Sequence, residues 1–137
     1  MKTDFLSWLG RAGLAAIFLW SGLGKLASAE GTIAYIAAAD VPVPALAFAV
    51  AVAVELTGAA ALLFGVWARV AAAGLALFCL ATAVLFHSEI VDEEQMIHFL
   101  KNAAIAGGLL QVTAFGPGRW TLRSLWRAMP PPRPIFA

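Results

Sequence analysis

Residues 45–66 read ALAFAVAVAVELTGAAALLFGV, and this apolar run decides the fold. The run is about 22 residues long, which is enough to cross a hydrocarbon core of ~30 Å as a helix. Glu55 lies near its middle and is the only ionisable residue in it. A charged group at that depth is costly. Glu55 is therefore expected to face the protein interior and to have a polar partner.

The composition indicates an integral membrane protein. The chain has 137 residues, of which 62% are hydrophobic and 12% charged, whereas a soluble domain carries about 25% charged residues. Nucleic acid is not an expected partner. Cys79 is the single cysteine, so an intrachain disulfide and a CxxC redox pair are excluded. Its apolar surroundings predict a packing residue.

The apolar segments predict an all-α, four-helix transmembrane bundle formed by residues 1–118. Its helices are expected at about residues 5–26, 45–66, 70–87 and 96–115. The first segment also has features of a signal peptide, because Lys2 and Arg11 could form a basic n-region and residues 27–29 could form a cleavage site. Lys25 lies just before that site and the apolar stretch is long, which favours an uncleaved transmembrane helix.

The connecting segments predict surface structure. Residues 30–43 contain apolar positions at helical spacing and are closed by Pro42 and Pro44, which indicates a short interfacial helix in the first outer loop. The loop 88–95 carries four acidic residues and is expected to be solvated. Residues 119–137 predict a basic amphipathic helix on the cytoplasmic membrane surface, followed by a proline-rich tail. Its arginines recur every four residues, at Arg119, Arg123 and Arg127.

The distribution of charge predicts the orientation. With four spans, both termini and the short 66–69 connection lie on the same side of the membrane. That side carries most of the basic residues, and the other side carries all the acidic residues of the loops. By the positive-inside rule, both termini are cytoplasmic and the acidic loops face outward.

This topology predicts that polar side chains meet in the outer half of the bundle. Glu55 is about 11 residues below the outer start of its helix, which is ~16 Å at 1.5 Å per residue. Glu55 is therefore expected to pair with Lys25 or Lys101, directly or through water. The residues expected to form a polar pocket there are Glu55, Lys25, Lys101, Asn102, His87 and His98.

Two interpretations of this polar group remain open. A buried ion pair can fix helix register without any chemistry. Alternatively, the group binds a small lipophile with a polar head, and a quinone has the matching flat polar head and apolar tail. His87 and His98 could together ligate a metal or haem, but two histidines with scattered carboxylates lack a diagnostic spacing. No metal site is therefore predicted, and the catalytic residues are not identified.

Several short motifs resemble the DoxX family of small bacterial membrane proteins, over about residues 8–118. Each motif is weak by itself, whereas their order and spacing are specific. They are Gly10-Arg11, Ser21 to Leu26, Val41-Pro42, Glu55-Leu56, Gly65 to Arg69, Phe86-His87, Phe99 to Asn102 and Gly107-Gly108. The resemblance implies a four-helix membrane protein of the bacterial inner membrane. Some relatives are described as subunits of quinone-reducing sulfur oxidoreductases, and others as partners in membrane-associated redox or thiol-stress complexes.

The leading hypothesis is a redox-associated membrane protein that binds a quinone-like lipophile and acts with a partner oxidoreductase. No intrinsic electron-transfer cofactor is evident in the sequence, so a partner would be needed. The alternative is a non-catalytic scaffold or assembly subunit that uses its small-residue helix faces. A transporter would need a polar path to the cytoplasmic side, and none is visible. Whether the protein is an enzyme, and whether it forms a homo-oligomer, stay open.

Overall fold

The computed structural model of the chain describes residues 2–88 and 91–128. These residues form α-helices and no strands, so the predicted all-helical class is confirmed for this part of the chain. The helices are α1 (Lys2–Ala27), α2 (Ala29–Ala38), α3 (Pro44–Phe64), α4 (Ala68–Phe86), α5 (Glu93–Phe115) and α6 (Leu122–Ala128). Three of them, α1, α3 and α4, are long and apolar enough to cross a membrane.

The four long helices pack around one core. α1 packs mainly against α3, α4 packs mainly against α5, and contacts between α3 and α4 join the two pairs. The shared core consists of small and apolar residues from all four helices: Ala15, Phe18, Ala59, Leu62, Ala72, Leu75, Ala76, Cys79, Ala106 and Leu109. The bundle has two ends, which we call the α2 end, where α1 and α4 finish, and the α6 end.

Glycines allow the closest helix contacts in the core. A Cβ atom added at Gly58 of α3 would lie 2.8 Å from both Cγ and Cδ1 of Leu75 in α4. A Cβ atom added at Gly22 of α1 would lie 2.8 Å from Cδ2 of Leu56 and 3.4 Å from Cβ of Glu55. Small residues let helix backbones approach in this way. Gly22 therefore brings α1 directly against the turn of α3 that carries Glu55.

The turn between α3 and α4 lies two residues earlier than the predicted helix bounds place it. α3 begins at Pro44, a position where proline is tolerated. It ends at Phe64 because Gly65 adopts a left-handed conformation with φ of 68°. Trp67 also has positive φ, and α4 starts directly after it at Ala68, two residues before the predicted start. The two spans are thus joined by three residues.

α5 begins earlier than predicted, so the acidic loop is shorter. The side chain of Asp92 accepts a hydrogen bond of 2.9 Å from the main-chain N–H of Gln95 and caps the helix. Glu93 and Glu94 lie in the first turn, where negative charge interacts favourably with the helix dipole. α5 has 23 residues, but its polar side chains make it less apolar than the three candidate spans. The predicted fourth membrane crossing therefore stays a prediction.

Arg11 is a buried cation that joins three parts of the fold. Arg11 is 1% exposed. The guanidinium donates to the main-chain oxygen of Leu62 in the last turn of α3, and to that of Trp120 at 2.6 Å. Carbonyls in a last helical turn carry partial negative charge and can accept further hydrogen bonds. Arg11 therefore fixes the segment before α6 to the ends of α1 and α3.

The helix predicted near the C-terminus is present but short. α6 covers Leu122–Ala128, whereas the sequence predicted a basic surface helix from residue 119. Gly116 and Gly118 adopt positive φ values of 85° and 71°, which are incompatible with a continuing helix. Thr121 and Ser124 then exchange main-chain to side-chain hydrogen bonds of 3.2 Å each and define the new start. The predicted proline-rich tail lies outside the described residues.

Candidate functional site

Glu55 forms an ion pair with Lys25. Lys25 Nζ lies 2.8 Å from Oε1 and 2.9 Å from Oε2 of Glu55. Glu55 is 3% exposed and the Lys25 side chain 24%, so the acid is enclosed and the base reaches toward the α2 end. Of the two lysines that the sequence offered as partners, the structure selects Lys25.

Ser21 completes a network of three side chains. It precedes Lys25 by one helical turn on α1, so both side chains share one face. Ser21 Oγ donates to Glu55 Oε1 at 2.9 Å and accepts from Lys25 Nζ at 2.6 Å. Lys25 thereby uses all three of its ammonium hydrogens inside the network. The network leaves no net charge in this part of the bundle.

A cavity of about 450 Å³ lies beside this network. It is formed by residues of α1 to α5 and by Val41 and His87, and its walls are mainly apolar. Volumes of about 300–1,000 Å³ and apolar walls with a few convergent polar groups are typical of small-molecule sites. The polar residues that line the cavity are Ser21, Lys25, Thr32, Tyr35, Glu55, Thr82, His87 and Asn102.

Some polar groups in the wall still have hydrogen-bonding capacity. Asn102 Nδ2 donates to the main-chain oxygen of His98 at 3.0 Å, which leaves a second amide hydrogen and the side-chain oxygen. His87 Nδ1 lies 2.7 Å from Gln95 Oε1. With that oxygen as acceptor, Nδ1 carries the proton, and Nε2 of the neutral ring is an acceptor. Among the described residues, no partner reaches the Tyr35 hydroxyl. A ligand head could therefore both accept and donate hydrogen bonds here.

Two ring contacts narrow the cavity at the α2 end. Tyr35 of α2 stacks on Phe86 of α4 with a centroid separation of 5.4 Å. His87 stacks on His98 of α5 at 5.0 Å. Both contacts connect helices across the same end of the bundle. α2 therefore lies over the cavity and forms part of its wall.

Two predicted pocket residues do not line the cavity. Lys101 is exposed and lies in a separate shallow depression with the acidic first turn of α5, so of the two lysines predicted as alternative partners of Glu55, Lys25 forms the pair and Lys101 does not. The reason is helix geometry, because Lys101 is about 100° around α5 from its neighbour Asn102, which faces the cavity. His98 lines the same depression and contacts the site through the ring of His87.

Four polar residues of the wall are absent from the predicted pocket, namely Ser21, Thr32, Tyr35 and Thr82. Ser21 could have been found, since it lies four residues before Lys25 and both side chains therefore share a helix face. Thr32 and Tyr35 lie within residues 30–43, where the sequence predicts an interfacial helix. Thr82 lies within an apolar run and donates to the main-chain oxygen of Phe78 at 2.7 Å, so no sequence signal distinguishes it from a residue of the helix surface.

Cys79 also borders the cavity, and its side chain is buried in the core. Within residues 2–88 and 91–128, no group of three or more histidine, cysteine, aspartate or glutamate side chains is arranged to hold a metal ion. His87 and His98 are brought together, but as stacked rings.

Comparisons with known proteins identify the family of the chain. The DoxX family model matches residues 6–88. The inner membrane protein YqjF of Escherichia coli K12 is 33% identical over 117 residues, which cover 85% of this chain and 88% of YqjF. The inner membrane protein YphA of the same organism is 32% identical over 119 residues, or 83% of this chain and 85% of YphA. No solved structure matches the chain.

Proposed function

Because the chain belongs to the DoxX family of integral inner membrane proteins, we propose that its cavity binds a quinone-like lipophile. One observation carries the proposal. A cavity of about 450 Å³ with mainly apolar walls has a buried Lys25–Glu55–Ser21 network on one side and unsatisfied hydrogen-bonding groups near the α2 end. This combination suits a flat polar head with an apolar tail.

The hydrogen-bonding groups fit a quinone head in both redox states. The oxidised form has two carbonyl acceptors, and the Tyr35 hydroxyl and the remaining amide hydrogen of Asn102 are available donors. The reduced form has hydroxyl donors, and the Asn102 oxygen and His87 Nε2 are available acceptors. Lys25 is already saturated by its contacts with Ser21 and Glu55. We therefore assign the Lys25–Glu55 pair to the polar wall, and Asn102, Tyr35 and His87 to direct contact.

The proposed topology has four membrane spans. We propose α5 as the fourth, since it is 23 residues long and contributes Ala106 and Leu109 to the common core. The arginines at the α6 end favour a cytoplasmic position for that end and for both termini. In this orientation α2 lies at the outer interface, α6 lies on the cytoplasmic surface, and the cavity is in the outer half of the bundle.

We further propose that the protein acts with a partner oxidoreductase. Reduction of a quinone consumes electrons and protons together. The electrons would come from the cofactor of the partner, which is the usual source of such chemistry. The protons would come from water at the outer surface, where Lys25 and His87 are partly exposed. The role of this chain is then to hold and orient the quinone head.

A cavity-filling substitution tests the binding proposal. Ala51 of α3 lines the cavity, whereas Ala53 lies on the exposed face of the same helix. Ala51→Leu is expected to weaken binding of a short-tailed benzoquinone by at least about tenfold, because one large side chain removes much of the space for the head. Ala53→Leu adds the same volume on the outer surface and should leave binding unchanged.

Binding is measured by titrating the quinone into purified full-length protein in neutral detergent and following tryptophan fluorescence. Absence of saturable binding by the wild-type protein, or equal loss in both variants, would refute the proposal. Glu55→Gln and Asn102→Leu then compare how much the Lys25–Glu55 pair and the direct contact of Asn102 each contribute to quinone binding. We expect the larger loss for Asn102→Leu, because Asn102 contacts the head directly.

The alternative function is a scaffold or assembly subunit. It is favoured by Gly74 of α4 and Gly107 of α5, where an added Cβ atom would meet nothing within 4 Å. Such open glycines permit a further helix to approach closely. Gly74→Leu and Gly107→Leu should then release a co-purifying membrane partner, whereas Ala51→Leu should not.

A further inference from the structure

Aromatic and basic residues concentrate at the α6 end of the bundle. Four of the five tryptophans, Trp8, Trp67, Trp120 and Trp126, belong to the segments at this end. Trp67 and Trp126 are 79% and 71% exposed. Tryptophan is typically enriched at the level of the lipid headgroups. This end of the protein is therefore positioned at a membrane interface.

A groove separates α6 from the turn between α3 and α4. We call it the α6 groove; it has a volume of about 520 Å³ and is lined by Gly65, Val66, Trp67, Leu122, Arg123 and Trp126. Its walls are apolar and aromatic, and Arg123 is its one charged residue. Val66 and Leu122 are exposed even though both are large and apolar. An apolar ligand with one negative group would match this surface.

The groove is preformed, because α6 is held against the bundle at its start. Arg11 Nη2 donates to the main-chain oxygen of Trp120 at 2.6 Å. The Trp120 ring contacts Phe5 and Trp8, with centroid separations of 5.7 and 6.5 Å. The N–H of Arg119 donates to Asp4 Oδ1 at 3.2 Å. These contacts attach the chain just before α6 to the first turns of α1.

The excess of positive charge at the α6 end favours an anionic partner. The described charged residues here are Lys2, Arg11, Arg69, Arg119, Arg123 and Arg127, with Asp4 as the single acid. Within the described ranges, no carboxylate pairs with the Arg123 guanidinium. An arginine fork binds phosphate oxygens well. Anionic lipids supply such groups at the depth where the tryptophans lie.

We propose that the α6 groove binds one anionic phospholipid, with its phosphate on Arg123 and an acyl chain against Val66, Leu122 and Trp126. The site differs from general attraction of a basic surface to a membrane, because it requires one arginine in one groove. The proposal does not depend on the quinone site, which lies at the opposite end of the bundle.

The test compares two arginines of the same helix. Arg123 lines the groove, whereas Arg127 is exposed one turn later and does not. Full-length protein in neutral detergent is mixed with dioleoylphosphatidylglycerol or dioleoylphosphatidylcholine at equal concentration, and one-to-one adducts are quantified by native mass spectrometry. Wild-type protein should bind the glycerol lipid preferentially. Arg123→Gln should lower that adduct by at least about fivefold, and Arg127→Gln by less than about twofold.

Equal losses in the two variants would show surface attraction only and would overturn the proposal, as would equal binding of the two lipids by the wild-type protein. A second measurement does not depend on variants. Phosphatidylglycerol with brominated acyl chains should quench the tryptophan fluorescence of the wild-type protein more than the matching phosphatidylcholine does. Equal quenching by both lipids would likewise overturn the site.

Discussion

Lys25 Nζ lies within 2.9 Å of both carboxylate oxygens of Glu55, yet the two residues are unequally buried. Glu55 is 3% exposed, whereas the Lys25 side chain is 24% exposed. The pair therefore has an inner partner that depends on its neighbour and an outer partner that can reach water. Removing either charge should therefore lower the free energy of unfolding by a different amount, because a buried charge that has lost its partner is more destabilising than an exposed one.

Lys25→Met should destabilise the protein more than Glu55→Gln. The methionine leaves the enclosed carboxylate with Ser21 as its remaining donor, and we expect a loss of about 3 kcal/mol in the free energy of unfolding. Glu55→Gln keeps a hydrogen-bond acceptor for Ser21, and Lys25 can be hydrated, so a loss of about 1 kcal/mol is expected. Unfolding titrations in mixed micelles measure both values. A larger loss for Glu55→Gln would contradict this assignment of the inner partner.

Arg11→Lys should behave as a disruptive substitution although the charge is kept. The Arg11 guanidinium reaches the carbonyls of Leu62 and Trp120 with two different nitrogens, and a single ammonium cannot reproduce that fork. Loss of one charged hydrogen bond predicts a decrease of about 2 kcal/mol in unfolding free energy.

Arg127→Lys is the matched control for Arg11→Lys. Arg127 is exposed, and exposed substitutions usually change stability by less than about 0.5 kcal/mol. Limited proteolysis gives an independent measurement, because cleavage between residues 116 and 121 should accelerate in Arg11→Lys alone. Equal stability of the two variants would mean that the carbonyl contacts of Arg11 contribute little.

Gly58→Ala should destabilise the bundle, whereas Gly107→Ala should not. The new methyl group at Gly58 would lie 2.8 Å from Cγ of Leu75, which is itself buried, so one of the two helices must shift. Overpacking of this kind costs about 1–3 kcal/mol. At Gly107 the methyl group would meet nothing within 4 Å, and alanine is the better helix former by about 1 kcal/mol. Opposite signs in unfolding titrations are the expected result.

Cys79 should react slowly with a maleimide in the folded protein. It is buried in the core, and the cavity is the space that it borders. Because the chain has a single cysteine, mass spectrometry reports this site alone. Labelling should be at least about tenfold faster after unfolding in dodecyl sulfate. A bound quinone should slow the labelling of Cys79 in the folded protein further. A labelling rate in the folded protein close to that in the unfolded protein would contradict the buried position of Cys79.

The sequence predicted the main features of the fold and four of the eight polar residues that line the cavity, namely Lys25, Glu55, His87 and Asn102. The position of Glu55 within an apolar helix required a polar partner, and the topology limited the choice to two lysines. Which lysine pairs depended on helix rotation. Asn102 and Lys101 are adjacent in sequence, yet they face different surroundings because consecutive helical residues are about 100° apart. An estimate of depth alone could not separate them.

Arg11 was the least predictable residue. Its partners are main-chain carbonyls 51 and 109 positions away, and a carbonyl has no side-chain identity that a sequence could display. The helix bounds differed for a similar reason. Cap contacts such as Asp92 with Gln95, and the left-handed Gly65, fix the ends of helices to within a residue, whereas apolar patterning defines only their centres.

The contact between Arg11 and Trp120 also has a consequence for biosynthesis. The two residues are 109 positions apart, so the ribosome makes the acceptor only after α1, α3, α4 and α5 have all been synthesised. Until then the guanidinium lacks one of its two carbonyls and is best accommodated near water. α1 can therefore reach its final position in the bundle only late in assembly. In a chain that stops before residue 120, α1 would lack the hydrogen bond from Arg11 to Trp120.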